Sequence, residues 1–197
     1  MEFQLFHTKV RISYLFTAVL TLFFLYNRDG MFWYALSVIV LHELGHLLAM
    51  SFFHARPGEI ALCSFGIRIS RREAVRLSYF QEGVVYLAGP AVNLIAGVFC
   101  MTATGEILRL YGWLHLFTGL FNLLPAGNLD GGNLLCLLGQ RYFPVQQDWV
   151  TKLVSFVVLA PLFTMGLLLV FQNPWNFSLL FTAVYLFSVV LFGPREE

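Results

Sequence analysis

Leu41-His42-Glu43-Leu44-Gly45-His46 sits inside an otherwise uninterrupted apolar segment running from Met31 to Phe53. On a helix, the spacing of His42 and His46 puts both imidazoles on one face within reach of a single metal ion, and Glu43 falls beside the open coordination position as a general base. In a chain of this composition the H-E-x-x-H pattern arises by chance only about 0.005 times. The bland alternative packs the histidines in a core and pairs Glu43 with a cation. An ionisable residue at a helix centre in the bilayer costs roughly 2.5 to 3.5 kcal/mol even on the lenient scale. Three of them in one turn need a compensating partner, and a metal ion is one.

The surrounding composition places this turn in lipid. Of the 197 residues, 58% are hydrophobic and 12% charged, far from the soluble norm, so one integral membrane domain is expected over 1–197. A net charge of +1 with no basic tail offers nothing to nucleic acid. Cys63, Cys100 and Cys136 lack ligand spacing and are expected as free, buried thiols. Lys9 and Arg11 precede an apolar run without a small-residue cleavage site, which predicts a retained span.

Outward from the motif, the expected architecture is all-α and polytopic, with about six transmembrane helices. The predicted spans are 12–26, 31–53, 83–103, 113–139 broken near 125–127, 153–171 and 175–192. Span two covers about 35 Å as a helix, enough to cross with some tilt. Met1 to Ile12 alternates loosely and suggests a short strand. Between spans two and three, Phe65, Ile67 and Ile69 alternate with small or charged residues, and Val75, Leu77 and Tyr79 do so after Arg71-Arg72. This predicts a β-hairpin on the cytoplasmic side, either a solvated connector or a surface sheet whose free edge pairs with an extended substrate.

Gly89-Pro90 within span three is expected to bend that helix and free backbone groups toward protein or a cavity. Asn93 lies one turn on, in position either for an interhelical hydrogen bond or for contact with substrate. Thr104 to Gly112 reads as a connection, with Tyr111 and Trp113 as an interfacial belt. Pro125 and Gly127 should break span four, leaving Asp130 to project from its second half. Counting back from Arg141 and Arg56, Asp130 and the two histidines all lie roughly 15 to 20 Å inside the same membrane face at helical rise. Asp130 is therefore the natural third ligand, the alternative being an aspartate that caps the broken helix. Pro161 is an expected kink in span five.

Counting positive charges orients the chain. With the N-terminus in the cytoplasm, Lys9, Arg11, Arg56, Arg68, Arg71, Arg72, Arg76, Arg141, Lys152 and Arg195 fall on that side, and only Arg28 and Arg109 on the other. This predicts six spans with both termini cytoplasmic and a site opening toward the cytoplasm.

These residues together resemble the site-2 proteases, intramembrane zinc metalloproteases that cleave membrane-associated regulators. The resemblance covers most of the chain and rests on His42-Glu43-Leu44-Gly45-His46, on Gly89-Pro90 with Asn93, and on Asn122, Pro125 and Leu129-Asp130-Gly131. It implies that His42, His46 and Asp130 bind one zinc ion per chain, that Glu43 is the catalytic base, and that Asn93 and Asn122 contact substrate or the oxyanion. Typical members carry Asn-Pro-Asp-Gly before the third ligand. Asn128-Leu129-Asp130-Gly131 stands there instead, as in the branch that resembles the sporulation pro-sigma-factor protease. With no room for a PDZ insert or a nucleotide-sensing domain, a minimal core is expected.

The implied activity is regulated intramembrane proteolysis in a multi-pass protein of the bacterial cell membrane. The implied partners are the bilayer and a membrane-anchored substrate such as a transcription-factor precursor or an anti-sigma factor. A homo-oligomer or a regulatory membrane partner stays open. Two rivals use the same residues: a catalytically inactive membrane scaffold, and a metal transporter. A transporter needs access from both sides and exchangeable ligands, whereas a glutamate directly after the first histidine suits a water-activating base.

Overall fold

The computed structural model describes residues 2–5, 8–12, 17–18, 21, 24–25, 30–55, 57–63, 66–71 and 77–192. The first predicted span, 12–26, lies largely outside the described residues, as do several of the arginines used to orient the chain. The described elements run β1 (Glu2–Leu5), β2 (Thr8–Ile12), α1 (Met31–Phe52), β3 (Pro57–Cys63), β4 (Gly66–Arg71), α2 (Tyr79–Met101), α3 (Glu106–Asn122), α4 (Asp130–Tyr142), α5 (Gln147–Gln172) and α6 (Ser178–Phe192). Three of them, α1, α2 and α5, are long and apolar enough to cross a membrane, and α6 is a shorter apolar helix. The chain forms two compact units, Met1–Gly119 and Leu120–Glu197.

In the first unit the four strands form one sheet in the order β1-β2-β3-β4. β1 and β2 pair antiparallel, β2 and β3 parallel with Val10 opposite Ile60, and β3 and β4 antiparallel with Ile60 opposite Ile69. The hairpin register differs from the expected one. The alternating stretch around Ile67 and Ile69 is a second arm, paired with Pro57–Cys63, while Val75 of the expected partner arm lies outside the described residues. Tyr79 instead opens α2.

That helix begins four residues ahead of the expected Gly83 because Ser78 caps it. The Gln81 amide N–H donates to Ser78 Oγ at 3.3 Å and the Ser78 N–H donates to Gln81 Oε1 at 2.9 Å, a reciprocal capping box. Pro90 lies inside α2, which continues unbroken to Met101. The expected connection from Thr104 to Gly112 is mostly helix, since α3 starts at Glu106, whose carboxylate favours the positive end of the helix dipole. Tyr111 is half-buried on α3. Its hydroxyl lies 2.9 Å from Ser37 Oγ on α1, and its ring meets that of His115 edge-on at 4.6 Å. Met50, Ala55 and Val85, flanked by Ala49, Phe53 and Leu77, make the apolar cluster that holds α1 against α2.

In the second unit the helix α3 ends at Asn122, ahead of Pro125, and helix resumes at Asp130. Ser155 of α5 donates its hydroxyl to the Pro125 carbonyl at 2.8 Å, satisfying a backbone group that the broken helix leaves without an intrahelical donor. Leu129 occupies the cap position in an extended conformation without a side-chain bond, so Asp130 is the first helical residue and not the cap. A Cβ at Gly131 would collide with the Leu123 backbone, so glycine is what lets α4 start against the preceding turn. Ala126, Leu159 and Leu186 form the core of this unit.

Leu159 is fully buried in that core, whereas Leu168 on the same helix is exposed. Leu159→Ala is expected to lower unfolding stability in detergent by about 2 to 5 kcal/mol, and Leu168→Ala to change it by less than about 0.5 kcal/mol. Thermal unfolding of the two variants followed by circular dichroism checks both.

Candidate metal centre

α1 carries His42 and His46 on the face it turns inward, leaving the two imidazoles 5% and 8% exposed. The rings meet edge-on with centroids 4.8 Å apart, and their Nε2 atoms stand 3.1 Å from each other. Two nitrogens bound tetrahedrally to one zinc ion at about 2.0 to 2.1 Å would be separated by about 3.3 Å, so this spacing suits two ligands of a single ion.

Each histidine is held from behind by α2. His46 Nδ1–H donates to the Val85 carbonyl at 2.7 Å, which assigns the ring proton to Nδ1 and leaves the Nε2 lone pair for a cation. His42 Nδ1 lies 3.2 Å from the Asn93 side-chain nitrogen. The Asn93 oxygen in turn lies 3.1 Å from Nδ1 of His115 on α3. Asn93 and His115 are both 0% exposed.

The close approach of α1 and α2 is what makes this backing possible. A Cβ at Gly45 would lie 2.7 Å from the Ala88 carbonyl oxygen, and one at Gly89 would run into the His46 imidazole. Gly89 thus leaves the space that His46 fills, a requirement for close packing.

His42 and His46 in the first unit and Asp130 in the second each offer one ligand atom, an imidazole nitrogen or a carboxylate oxygen. Two neutral imidazoles and a carboxylate form a donor set suited to zinc. Glu43, next to His42 in the chain, is half-buried, as are Asn122 at the last turn of α3 and Asp130 at the first turn of α4. Of the two readings for Asn93, an interhelical hydrogen bond or contact with substrate, the structure shows the first: both ends of its amide meet imidazoles at full burial, which fits an orienting role.

His115 was missed in the sequence. Its signal was present, since a lone ionisable residue inside an apolar helix is costly unless it has a polar partner. That partner lies on another helix, where no spacing rule along the chain reaches.

No family model matches the chain. It is 33% identical over 121 residues to stage IV sporulation protein FB of Bacillus subtilis, covering 57% of this chain and 41% of that protein. It is 23% identical to the zinc metalloprotease MJ0392 of Methanocaldococcus jannaschii, covering 96% of this chain and 57% of that protein. The solved structure of a site-2 protease from Methanocaldococcus jannaschii superposes with a TM-score of 0.62 at 19% identity, covering 100% of this chain and 96% of that one. The chain shares the fold of that site-2 protease. Its fold is the site-2 protease fold from end to end, although the chain spans only about half the length of the two relatives matched by sequence.

Within this site-2 protease fold, the Gly89 gap makes a sharp prediction. Gly89→Ala should displace the His46 ring and reduce bound metal to well below one equivalent per chain, whereas Gly105→Ala, with nothing within 4 Å of the added Cβ, should keep the wild-type content. Elemental analysis of the purified proteins reads the difference, and full metal content in the Gly89 variant contradicts it.

Proposed function

We propose that the chain is a zinc-dependent intramembrane endopeptidase that cleaves a membrane-anchored protein within or near its transmembrane segment. The observation that carries this reading is the buried pair of imidazoles, His42 and His46, with Nε2 atoms 3.1 Å apart and a glutamate in the base position of H-E-x-x-H. The names of the relatives, a zinc metalloprotease and a sporulation protein, support it.

His42, His46 and Asp130 would hold the ion. Zinc, when bound, supplies Lewis acidity to water and to the scissile carbonyl. Glu43 takes a proton from the attacking water and hands it to the departing amine nitrogen, which lets a poor leaving group depart neutral. Asn93 keeps the His42 ring oriented, and Asn122 is assigned to the polar contacts of the substrate backbone.

A peptide bond inside a helix is shielded by its own hydrogen bonds, so the substrate must be extended before attack. Among the described residues β1 and β4 are the outer strands of the sheet, and an unpaired strand edge can take up an extended segment by main-chain hydrogen bonding. Six spans with both termini in the cytoplasm, the arrangement favoured by the ten-to-two distribution of positive charges, would put the sheet and the mouth of the site on the cytoplasmic face. A transcription-factor precursor or an anti-sigma factor in the bacterial cell membrane is the substrate class this arrangement suits.

Glu43→Gln preserves shape and removes the base. In proteoliposomes with a membrane-anchored reporter, this variant is expected to keep about one zinc per chain while cleaving at least about 100-fold more slowly than wild type. Cleavage at the wild-type rate would remove Glu43 from the chemistry. A wild-type protein with full zinc and no activity on any membrane substrate would favour the scaffold reading.

A further inference from the structure

Behind His42 the first unit contains a line of buried polar groups: His42 on α1, Asn93 on α2 and His115 on α3, linked at 3.2 and 3.1 Å. The far end of the line is unusual. His115 Nε2 is buried and has no hydrogen-bond partner among the described residues. Leaving a buried ring nitrogen unpaired costs stability, so a histidine at this position calls for a reason beyond filling space.

The reason follows from the directionality of hydrogen bonds. A neutral imidazole carries one proton, and an amide presents an acceptor at one end and donors at the other, so the three groups admit two polarities. In one, His115 Nδ1–H donates to the Asn93 oxygen and the Asn93 NH₂ donates to His42 Nδ1. The His42 proton then sits on Nε2, pointing at His46. In the other, the amide is turned over. His42 Nδ1–H donates to the Asn93 oxygen, the Asn93 NH₂ donates to His115 Nδ1, and the His115 proton sits on Nε2. Only the second polarity leaves a lone pair on His42 Nε2, and it requires an acceptor at His115 Nδ1.

We propose that His115 is a positioning residue for the metal centre: by accepting the Asn93 amide at Nδ1, it turns the Asn93 oxygen toward His42 and so holds His42 in the tautomer that ligates through Nε2. This rests on the reading of His42 as a metal ligand. The arrangement extends the usual hydrogen bond behind a metal-bound histidine by one further residue, so that a buried ring two helices away governs ligand quality. Tyr111, packed edge-on against His115 and held at its hydroxyl by Ser37 of α1, fixes the ring in place.

The test uses the full chain purified in detergent, titrated with cobalt(II) against a competing chelator, with visible absorption reporting the ligand geometry. His115→Leu, which fills the space without an acceptor, is expected to weaken cobalt binding about 10- to 100-fold. His115→Gln, which offers an amide oxygen as acceptor, is expected to stay within about 3-fold of wild type. Wild-type affinity and spectrum in His115→Leu would overturn the proposal. Equal losses in both variants would also overturn it, since they would indicate packing and not an acceptor.

If the variants fail to fold, ¹⁵N imidazole shifts of the zinc-loaded wild type decide. A proton on His115 Nε2 and on His42 Nδ1 is expected, and a proton on His115 Nδ1 refutes the assignment. Should His42→Ala bind cobalt as tightly as wild type, the metal-centre reading itself fails, an outcome separate from any result at position 115.

Discussion

Two imidazoles buried side by side in an apolar helix set the terms for the rest of this fold. Their Nε2 atoms are 3.1 Å apart in surroundings that cannot solvate them, and each needs its outer nitrogen satisfied from another helix. The Val85 carbonyl does this for His46 and Asn93 does it for His42. Because both partners belong to α2, that helix must pass close enough for a carbonyl and an amide to reach the back of two rings. Glycines at 45 and 89 make the approach possible. The metal-binding face of α1 is thus inseparable from how α1 packs on α2.

The same logic runs through the polar residues deeper in the first unit. His115 and Tyr111 stand on α3, and each reaches a polar atom on a neighbouring helix, Asn93 on α2 and Ser37 on α1. Such bonds cannot trade with water in a bilayer, so they fix helix rotation as well as proximity. In the second unit the broken backbone around Pro125 is handled in a similar way, with Ser155 donating to the freed carbonyl so that α4 can begin with Asp130 at its first turn.

Much of the candidate site was legible in the chain because its signals are local. The four-residue spacing of His42 and His46, the glutamate between them and the aspartate after a Pro and Gly break are each visible within a turn or two of helix. What escaped depends on contacts between segments. Asn93 read equally as an interhelical hydrogen bond or a substrate contact, because its neighbours on α2 gave no sign that imidazoles from α1 and α3 would claim both ends of its amide. The contact of the Tyr111 hydroxyl with Ser37 on α1 likewise lies beyond any spacing rule along the chain. Pro57–Cys63 was not read as a hairpin arm because Val75 to Tyr79 alternates more cleanly, while Ser78 and Gln81 commit the chain to a helix from Tyr79 onward. The starts of α2 and α3 were placed too late for a related reason: an apolar-span reading stops at the first charged residues, whereas Glu82 and Glu106 favour a helix N-terminus.

The central claim is that His42, His46 and Asp130 share one ion. Zinc K-edge X-ray absorption on the purified chain tests it most directly. The account predicts about one zinc per chain, a first shell of nitrogen and oxygen at about 2.0 to 2.1 Å and multiple scattering from two imidazoles, with one light-atom ligand changed in Asp130→Ala. A sulfur-containing shell, or a wild-type spectrum that persists unaltered in Asp130→Ala, would contradict it.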